Sequence, residues 1–242
     1  VPVLVDCTGD GGAVLSREEY LAAWSTWHGG TDPGESRLVR GWLSGAYALA
    51  RPLAGLPPVA VTAAGLLVAA AAVVPARLGG PWLVLAGVLV GVSAVLDSLD
   101  GAVAIATGRA SRRGFVLDSA VDRASEAAFA TALWVAGAPG PLAAAFGALC
   151  WLPDYLRARA GQAGLAETGA ISVWERPTRV AMTGFTLGGA GVLAALGLDG
   201  AGVLPAVGGA AAVVTCGTAV GCLLGVVGTA QLGVSLRRAL GG

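Results

Sequence analysis

Four aspartates, Asp97, Asp100, Asp118 and Asp122, stand in or beside some of the most apolar sequence of the chain, in the stretch LDSLDGAVAIATGRASRRGFVLDSAVDR from Leu96 to Arg123. Asp97 and Asp100 are three residues apart, and Asp118 and Asp122 four apart, so each pair shares a face if its segment is helical. Two such helices facing each other would put four carboxylates in one small volume. In a low-dielectric setting that density forces protonation unless cations neutralise it. Two divalent ions would do so formally. A hard ion such as Mg2+ takes carboxylate oxygens and keeps positions for water and substrate phosphate. The residue types therefore point to a two-metal site that handles a phosphate group.

The spacing narrows the chemistry. Asp97-x2-Asp100-Gly101-x2-Ala104, nine residues, then Gly114-x3-Asp118-x3-Asp122 resembles the signature of the CDP-alcohol phosphotransferase family, D-x2-D-G-x2-A-R-x8-G-x3-D-x3-D. Seven of its eight fixed positions match, and Ile105 stands where the family has Arg. The resemblance implies that Asp97, Asp100 and Asp118 hold the metals. Asp122 would touch a metal and act as general base. Gly101, Ala104 and Gly114 match small positions that let a cytidine nucleotide pack against the helices, beside Asp97 and Asp100. The family's Arg would assist the phosphate region, and Arg109, one turn past Ile105, is the candidate to take over part of that role. The implied cofactor is a pair of Mg2+ ions, with Mn2+ possible. The implied donor is CDP-diacylglycerol or another CDP-alcohol. The implied assembly is a homodimer of six-transmembrane-helix subunits.

The elements that must position these residues are those of an all-α integral membrane protein. Hydrophobic residues make up 55% and charged residues 12% of the 242, about half the charge of an average soluble domain. Mean hydropathy is +0.75. Six apolar segments follow one another: 56–76, 81–107, 115–137, 141–157, 180–198 and 203–227. Each is near the ~20 residues that cross a bilayer as a helix. Dense Gly, Ala and Ser let such helices pack closely. Before them, Ser16 and Glu19 form a capping-box pattern that predicts a short helix from Arg17 to Trp27, ending near Gly29-Gly30. Gly29 to Gly34 reads as a turn. Glu35 to Ala50 reads as an amphipathic helix with Arg37 and Arg40 on one side and Leu38, Trp42, Leu43 and Tyr47 for apolar contact, either on the membrane surface or packed. The expected organisation is a cytosolic segment 1–35, an interfacial helix 36–52 and a six-helix catalytic domain 53–242. No basic stretch followed by an apolar core opens the sequence, so no signal peptide is expected.

All fifteen basic residues are Arg, balanced by fifteen acidic ones, which gives no reason to expect nucleic-acid binding. Cys7, Cys150, Cys216 and Cys222 are scattered, and the lone His28 joins no cluster, so no zinc site is expected. Arg37, Arg40 and Arg51 precede the first apolar segment. Arg109, Arg112 and Arg113 follow the second, Arg157, Arg159, Arg176 and Arg179 lie between the fourth and fifth, and Arg237 and Arg238 follow the sixth. The alternate connections carry only Arg77. By the positive-inside rule both termini are cytosolic, in a multi-pass protein of the cell membrane. The aspartates then fall at cytosolic helix ends, where a soluble nucleotide can reach them while a lipid tail stays in the bilayer.

Arg157, Arg159, Arg176 and Arg179 would converge at that same membrane face. Guanidinium forks match phosphate oxygens, which suggests a small polar acceptor that carries phosphate. These segments resemble those of phosphatidylinositol-phosphate and phosphatidylglycerophosphate synthases, with inositol phosphate as the leading acceptor and glycerol 3-phosphate the alternative. The plain reading of the same arginines is topology or contact with anionic lipid. From other classes, a divalent-cation transporter would spread its carboxylates along the membrane depth. A membrane prenyltransferase would separate its acidic clusters much further. An inactive family member would be consistent with Ile105.

Overall fold

The computed structural model describes residues 14–27, 32–165, 171–198 and 209–241. Among them the regular elements are α1 (Arg17–Trp27), α2 (Arg37–Ala50), α3 (Pro58–Ala71), α4 (Val73–Leu78), α5 (Trp82–Ala106), α6 (Arg112–Val135), α7 (Gly140–Gln162), α8 (Arg176–Ala195) and α9 (Gly209–Leu240). Single 3-10 turns occupy Pro33–Glu35 and Arg51–Leu53. The all-helical class expected from composition holds. Pro58–Leu78, Trp82–Ala106 and Gly209–Leu240 are long and apolar enough to cross a membrane. The helices α6, α7 and α8 coincide with the third to fifth apolar segments but carry more charge. Cys7, His28, Gly29-Gly30 and residues 203–208 of the sixth apolar segment lie outside the described residues.

The chain divides into two compact units. The first comprises the described part of Val1–Leu66 with Val95–Asp122. Its helix α1 begins as its sequence dictates. Glu19 Oε2 accepts from Ser16 N at 2.7 Å and Ser16 Oγ accepts from Glu19 N at 3.4 Å, the reciprocal capping box. Ser36 likewise caps α2, accepting from Val39 N. One face of α2, Leu43, Ala46 and Ala50, packs with Tyr20 and Leu21 of α1 and with Ala102, Val103 and Ala106 of α5. Arg37, Arg40 and Trp42 stay exposed. So α2 is a packed helix on one side, with charge and an aromatic on the other. Burial pushes the Tyr20 phenol up to about 12, so it stays neutral.

The second unit comprises Leu67–Ala94 with the described part of Arg123–Gly242. Its core joins Leu83, Ala86 and Val90 of α5, Phe129 and Leu133 of α6, Phe146 and Cys150 of α7, Leu187 of α8 and Val214 of α9. Small residues set the helix spacing. A Cβ at Gly87 would stand 2.6 Å from the Gly184 carbonyl oxygen, so α5 and α8 meet backbone to backbone. Pro153 lies inside α7 and has no N–H to give the carbonyl four residues back, that of Leu149. The Trp174 indole N–H donates to that carbonyl at 3.1 Å instead. Trp174 is fully buried, and Gly228 of α9 leaves room for it where a Cβ would collide. Helix α9 runs to Leu240, past the end of the sixth apolar segment at 227, and its Gly217, Gly221, Gly225 and Gly228 receive neighbouring side chains.

Candidate active site

The site is built on the C-terminal turns of α5 and the first turns of α6, both within the first unit. Helix α5 is stopped by Gly108, which takes φ +65, a conformation that costs glycine little. Arg109 N then donates to the Ala104 carbonyl at 2.8 Å, and Gly108 N to the Ile105 carbonyl at 3.1 Å, closing the helix end. Helix α6 opens on Ser111, whose Oγ accepts from Gly114 N at 3.1 Å. A Cβ at Gly114 would press on that oxygen at 3.2 Å. The small residue at this position therefore fits a tight helix start as well as close approach of a ligand.

These two ends bring Asp97 and Asp100 to Asp118. One carboxylate oxygen of each lies within 4.8 Å of the others. Asp100 is buried, with 5% exposure, and Asp97 and Asp118 are half-buried. Asp100 Oδ2 is buried with no hydrogen-bond partner. A buried acceptor atom in that condition is costly, and three like charges at this distance repel. A divalent cation answers both problems. Oxygen ligands around Mg2+ stand about 2.1 Å from the ion, so opposite ligands are about 4.2 Å apart, close to the span of this trio. The residues thus fit a hard metal ion. Asp122, one turn after Asp118, lies outside the trio and is half-buried.

Of the other sequence candidates in this unit, Gly101 is exposed, and a Cβ there would meet nothing within 4 Å. Ala104 is half-buried. Arg109 is exposed, and its Nη1 donates to the carbonyls of Leu56 at 3.1 Å and Ala54 at 3.4 Å. It therefore ties the loop before α3 to the end of α5. Thr62 of α3 adds a polar group to this neighbourhood. Its hydroxyl donates to the Pro58 carbonyl at 3.1 Å, on the side of α3 that faces Asp100. An isolated threonine in an apolar helix carries no signal for such a contact.

The four arginines at the end of α7 and the start of α8 belong to the second unit, and two of them, Arg157 and Arg179, are engaged by carboxylates there. Arg157 meets Glu175 with two bonds, at 2.5 and 3.0 Å, and Asp154 at 3.4 Å. Arg179 is buried. Its Nη1 donates to Glu126 at 2.7 Å and Asp154 at 2.6 Å, and its Nε to the Trp174 carbonyl at 3.1 Å. Arg123 completes the network, meeting Asp154 at 2.6 Å and Glu126 at 3.0 Å. Three guanidiniums face three carboxylates. Arg179 Nη2 is buried with no hydrogen-bond partner. Arg159 is exposed and donates to Gln162 at 2.6 Å. Arg176 is half-buried on the first turn of α8. Burial alone would raise Glu175, but hydrogen bonds from Arg157 and Ser172 outweigh it and hold the carboxyl below its usual range.

Helix ends that gather acidic side chains in this spacing define a class. The family model described as CDP-alcohol phosphatidyltransferase matches residues 56–220, and the chain belongs to this family. It is 39% identical over 106 residues to an archaetidylinositol phosphate synthase of Aeropyrum pernix, covering 42% of this chain and 52% of that protein. It is 38% identical over 100 residues to the protein of that name from Pyrococcus horikoshii, covering 40% and 52%. The match thus spans about half the length of these curated relatives. Among solved structures it is similar to the phosphatidylinositol phosphate synthase of Mycobacterium tuberculosis with CDP-DAG bound, at TM-score 0.60 and 27% identity, over 79% of this chain and 93% of that one. The same enzyme in complex with manganese and citrate matches at TM-score 0.60 and 28% identity, over 79% and 88%.

Proposed function

We propose that this protein transfers the phosphoryl-alcohol half of a CDP-alcohol, with CDP-diacylglycerol as donor, to a phosphorylated polyol, with release of CMP. The observation that carries this is the gathering of Asp97, Asp100 and Asp118 within 4.8 Å at the family's motif spacing. The reading for inositol phosphate as acceptor is supported by the names of the relatives, all of which make an inositol phosphate lipid by name. The structures with CDP-DAG and with manganese support the donor and the metal. Family membership sets aside the cation-transporter and prenyltransferase alternatives.

Asp97, Asp100 and Asp118, with Asp122 on the next turn, would hold two Mg2+ or Mn2+ ions. When bound, such ions neutralise the diphosphate and make its phosphorus more electrophilic. The open surface at Gly101, with Ala104 and Gly114 nearby in sequence on the same helix ends, would receive the cytidine nucleotide. The acceptor hydroxyl oxygen forms a bond to the phosphorus that bears the alcohol. The bond from that phosphorus to the bridging oxygen breaks, and CMP leaves with the electron pair. Asp122 takes the hydroxyl proton. Arg157, Arg159, Arg176 and Arg179 would meet the acceptor phosphate. The unpartnered Nη2 of Arg179 supports that role, and its internal ion pairs would serve to hold the guanidinium still. Arg109 would contribute its remaining donors on the nucleotide side.

The arrangement proposed in the membrane is six spans, from α3–α4 to α9, with both termini cytosolic and two copies in a homodimer. The asymmetry of the arginines supports the orientation. The test is conversion of CDP-diacylglycerol by purified protein with inositol phosphate, glycerol 3-phosphate, inositol or serine, with the lipid product identified by mass. A phosphatidylinositol phosphate product formed only with inositol phosphate is expected. A product formed with glycerol 3-phosphate alone, or with an unphosphorylated acceptor, would overturn the acceptor assignment.

A further inference from the structure

The helix α5 has two faces at its C-terminal end, and the chain uses both. At about 100° per residue, Asp97, Asp100, Gly101 and Ala104 fall on one side and Ala102, Val103 and Ala106 on the other. The second side is the one that packs with Tyr20 and Leu21 of α1 and with Leu43, Ala46 and Ala50 of α2. Tyr20 is 1% exposed, and Val103 and Ala106 are as deeply buried. Polar ties fix the same contact. Leu15 N, just before α1, donates to the Ala106 carbonyl at 2.8 Å. The Tyr47 hydroxyl of α2 donates to the Leu15 carbonyl at 2.7 Å. The Tyr20 and Tyr47 rings meet with centroids 5.2 Å apart. Residues 15–27 are therefore docked on the back of the helix that carries two of the three clustered aspartates.

Ile105 lies at the edge between the two faces. It packs against this cluster together with Trp24, Tyr47 and Leu53. This is the position at which the sequence departs from the family signature. An arginine there would place a guanidinium at the rim of an apolar contact, and burying an unpaired charge is costly. The charge would have to turn toward the aspartate face or force α1 away. Isoleucine has neither requirement and adds apolar area to the dock.

We propose that α1 is a positioning element of the transferase site: it braces α5 from behind and holds Asp97 and Asp100 in register with Asp118, and Ile105 is the residue that adapts α5 to this brace. The proposal rests on the assignment of those aspartates as metal ligands. Their mutual repulsion makes a brace useful, because the cluster must stay assembled before an ion arrives. A helix held only by its aspartate face would be pushed apart by it.

The experiment uses the full chain in detergent, with Mn2+ binding followed by electron paramagnetic resonance and amide hydrogen exchange followed by mass spectrometry. Tyr20→Ala and Ile105→Arg are each expected to speed exchange in residues 17–27 and 97–106 and to weaken Mn2+ binding about tenfold, or ~1.4 kcal/mol. Tyr47→Phe keeps the packing and removes only the hydroxyl, so it is readable even if Tyr20→Ala fails to fold. It is expected to act in the same direction by about threefold, the scale of one neutral hydrogen bond. A helix α1 that exchanges faster while residues 97–106 and the Mn2+ affinity stay unchanged would overturn the brace and leave α1 as simple packing. Mn2+ binding that Asp97→Asn leaves intact would instead overturn the ligand assignment beneath it.

Discussion

Two charged regions of this protein are built on opposite plans. In the first unit three carboxylates meet one another, with Asp97, Asp100 and Asp118 inside 4.8 Å. In the second, Glu126, Asp154 and Glu175 meet Arg123, Arg157 and Arg179. Both draw on α6, which gives Asp118 to the first set and Arg123 and Glu126 to the second. Like charges brought together lose stability and require something from outside, a proton or a cation. Opposite charges brought together satisfy themselves, and their worth lies in holding geometry. A cluster of the first kind marks chemistry, whereas a network of the second kind marks architecture that can also hold an arginine ready for a ligand.

Charge removal should therefore have opposite consequences in the two regions. The largest effect is expected for Asp122→Asn, where loss of the proposed base should lower CMP release by about 10^2- to 10^4-fold. Thermal unfolding of that variant should be unchanged or slightly later, because a like charge has gone. An unfolded variant would show that Asp122 holds the fold as the arginine network does. Arg179→Met is the counterpart in the second unit. It leaves Glu126, 1% exposed, buried beside one fewer guanidinium and should cost about 3–5 kcal/mol. Replacing Glu126 as well should recover much of that. A double variant no better than the single one would show that Arg179 and Glu126 do not act as a structural pair.

Smaller effects sharpen the picture of the second unit. Trp174→Phe keeps the aromatic bulk but leaves the Leu149 carbonyl, freed by Pro153, without its donor at 3.1 Å. The expected cost is about 1–3 kcal/mol in thermal or denaturant unfolding. The smallest effect is the acid response of Glu175. Its carboxyl is held below the ordinary value of 4.5. Its pairing with Arg157 therefore contributes in full above pH 4.5 and is lost as pH falls through the lowered native value. For a partly exposed pair the amount is about 1 kcal/mol or less, measurable as the difference in acid unfolding between the unaltered chain and Glu175→Gln.

The two regions also differ in how visible they were in the sequence. The aspartate cluster is legible because its ligands lie on two adjacent helix ends, and helical spacing converts directly into a shared face. The capping box at Ser16 and Glu19 and the bounds of α1 were legible for the same local reason. The network was not. Arg179 reaches back 53 residues to Glu126 and 25 to Asp154, and no periodicity links them. Arg157 and Arg179 look in sequence like topology signals or phosphate clamps, and only the fold shows their carboxylate partners. Trp174 lies in a connection, where nothing local says that it replaces a donor missing from α7. Ile105 stood out as a departure from a pattern, but its apolar neighbours come from helices far away in sequence.

The proposed chemistry depends most on the aspartate cluster working through a divalent ion. The direct measurement is CMP release from CDP-diacylglycerol and inositol phosphate, with the protein first stripped by chelator and then titrated with Mg2+ or Mn2+, for the unaltered chain and for Asp100→Asn. No release in chelator, recovery on adding either ion, and no recovery in a folded Asp100→Asn variant are expected. Release that persists in chelator, or that Asp100→Asn sustains at the unaltered rate, would contradict that chemistry.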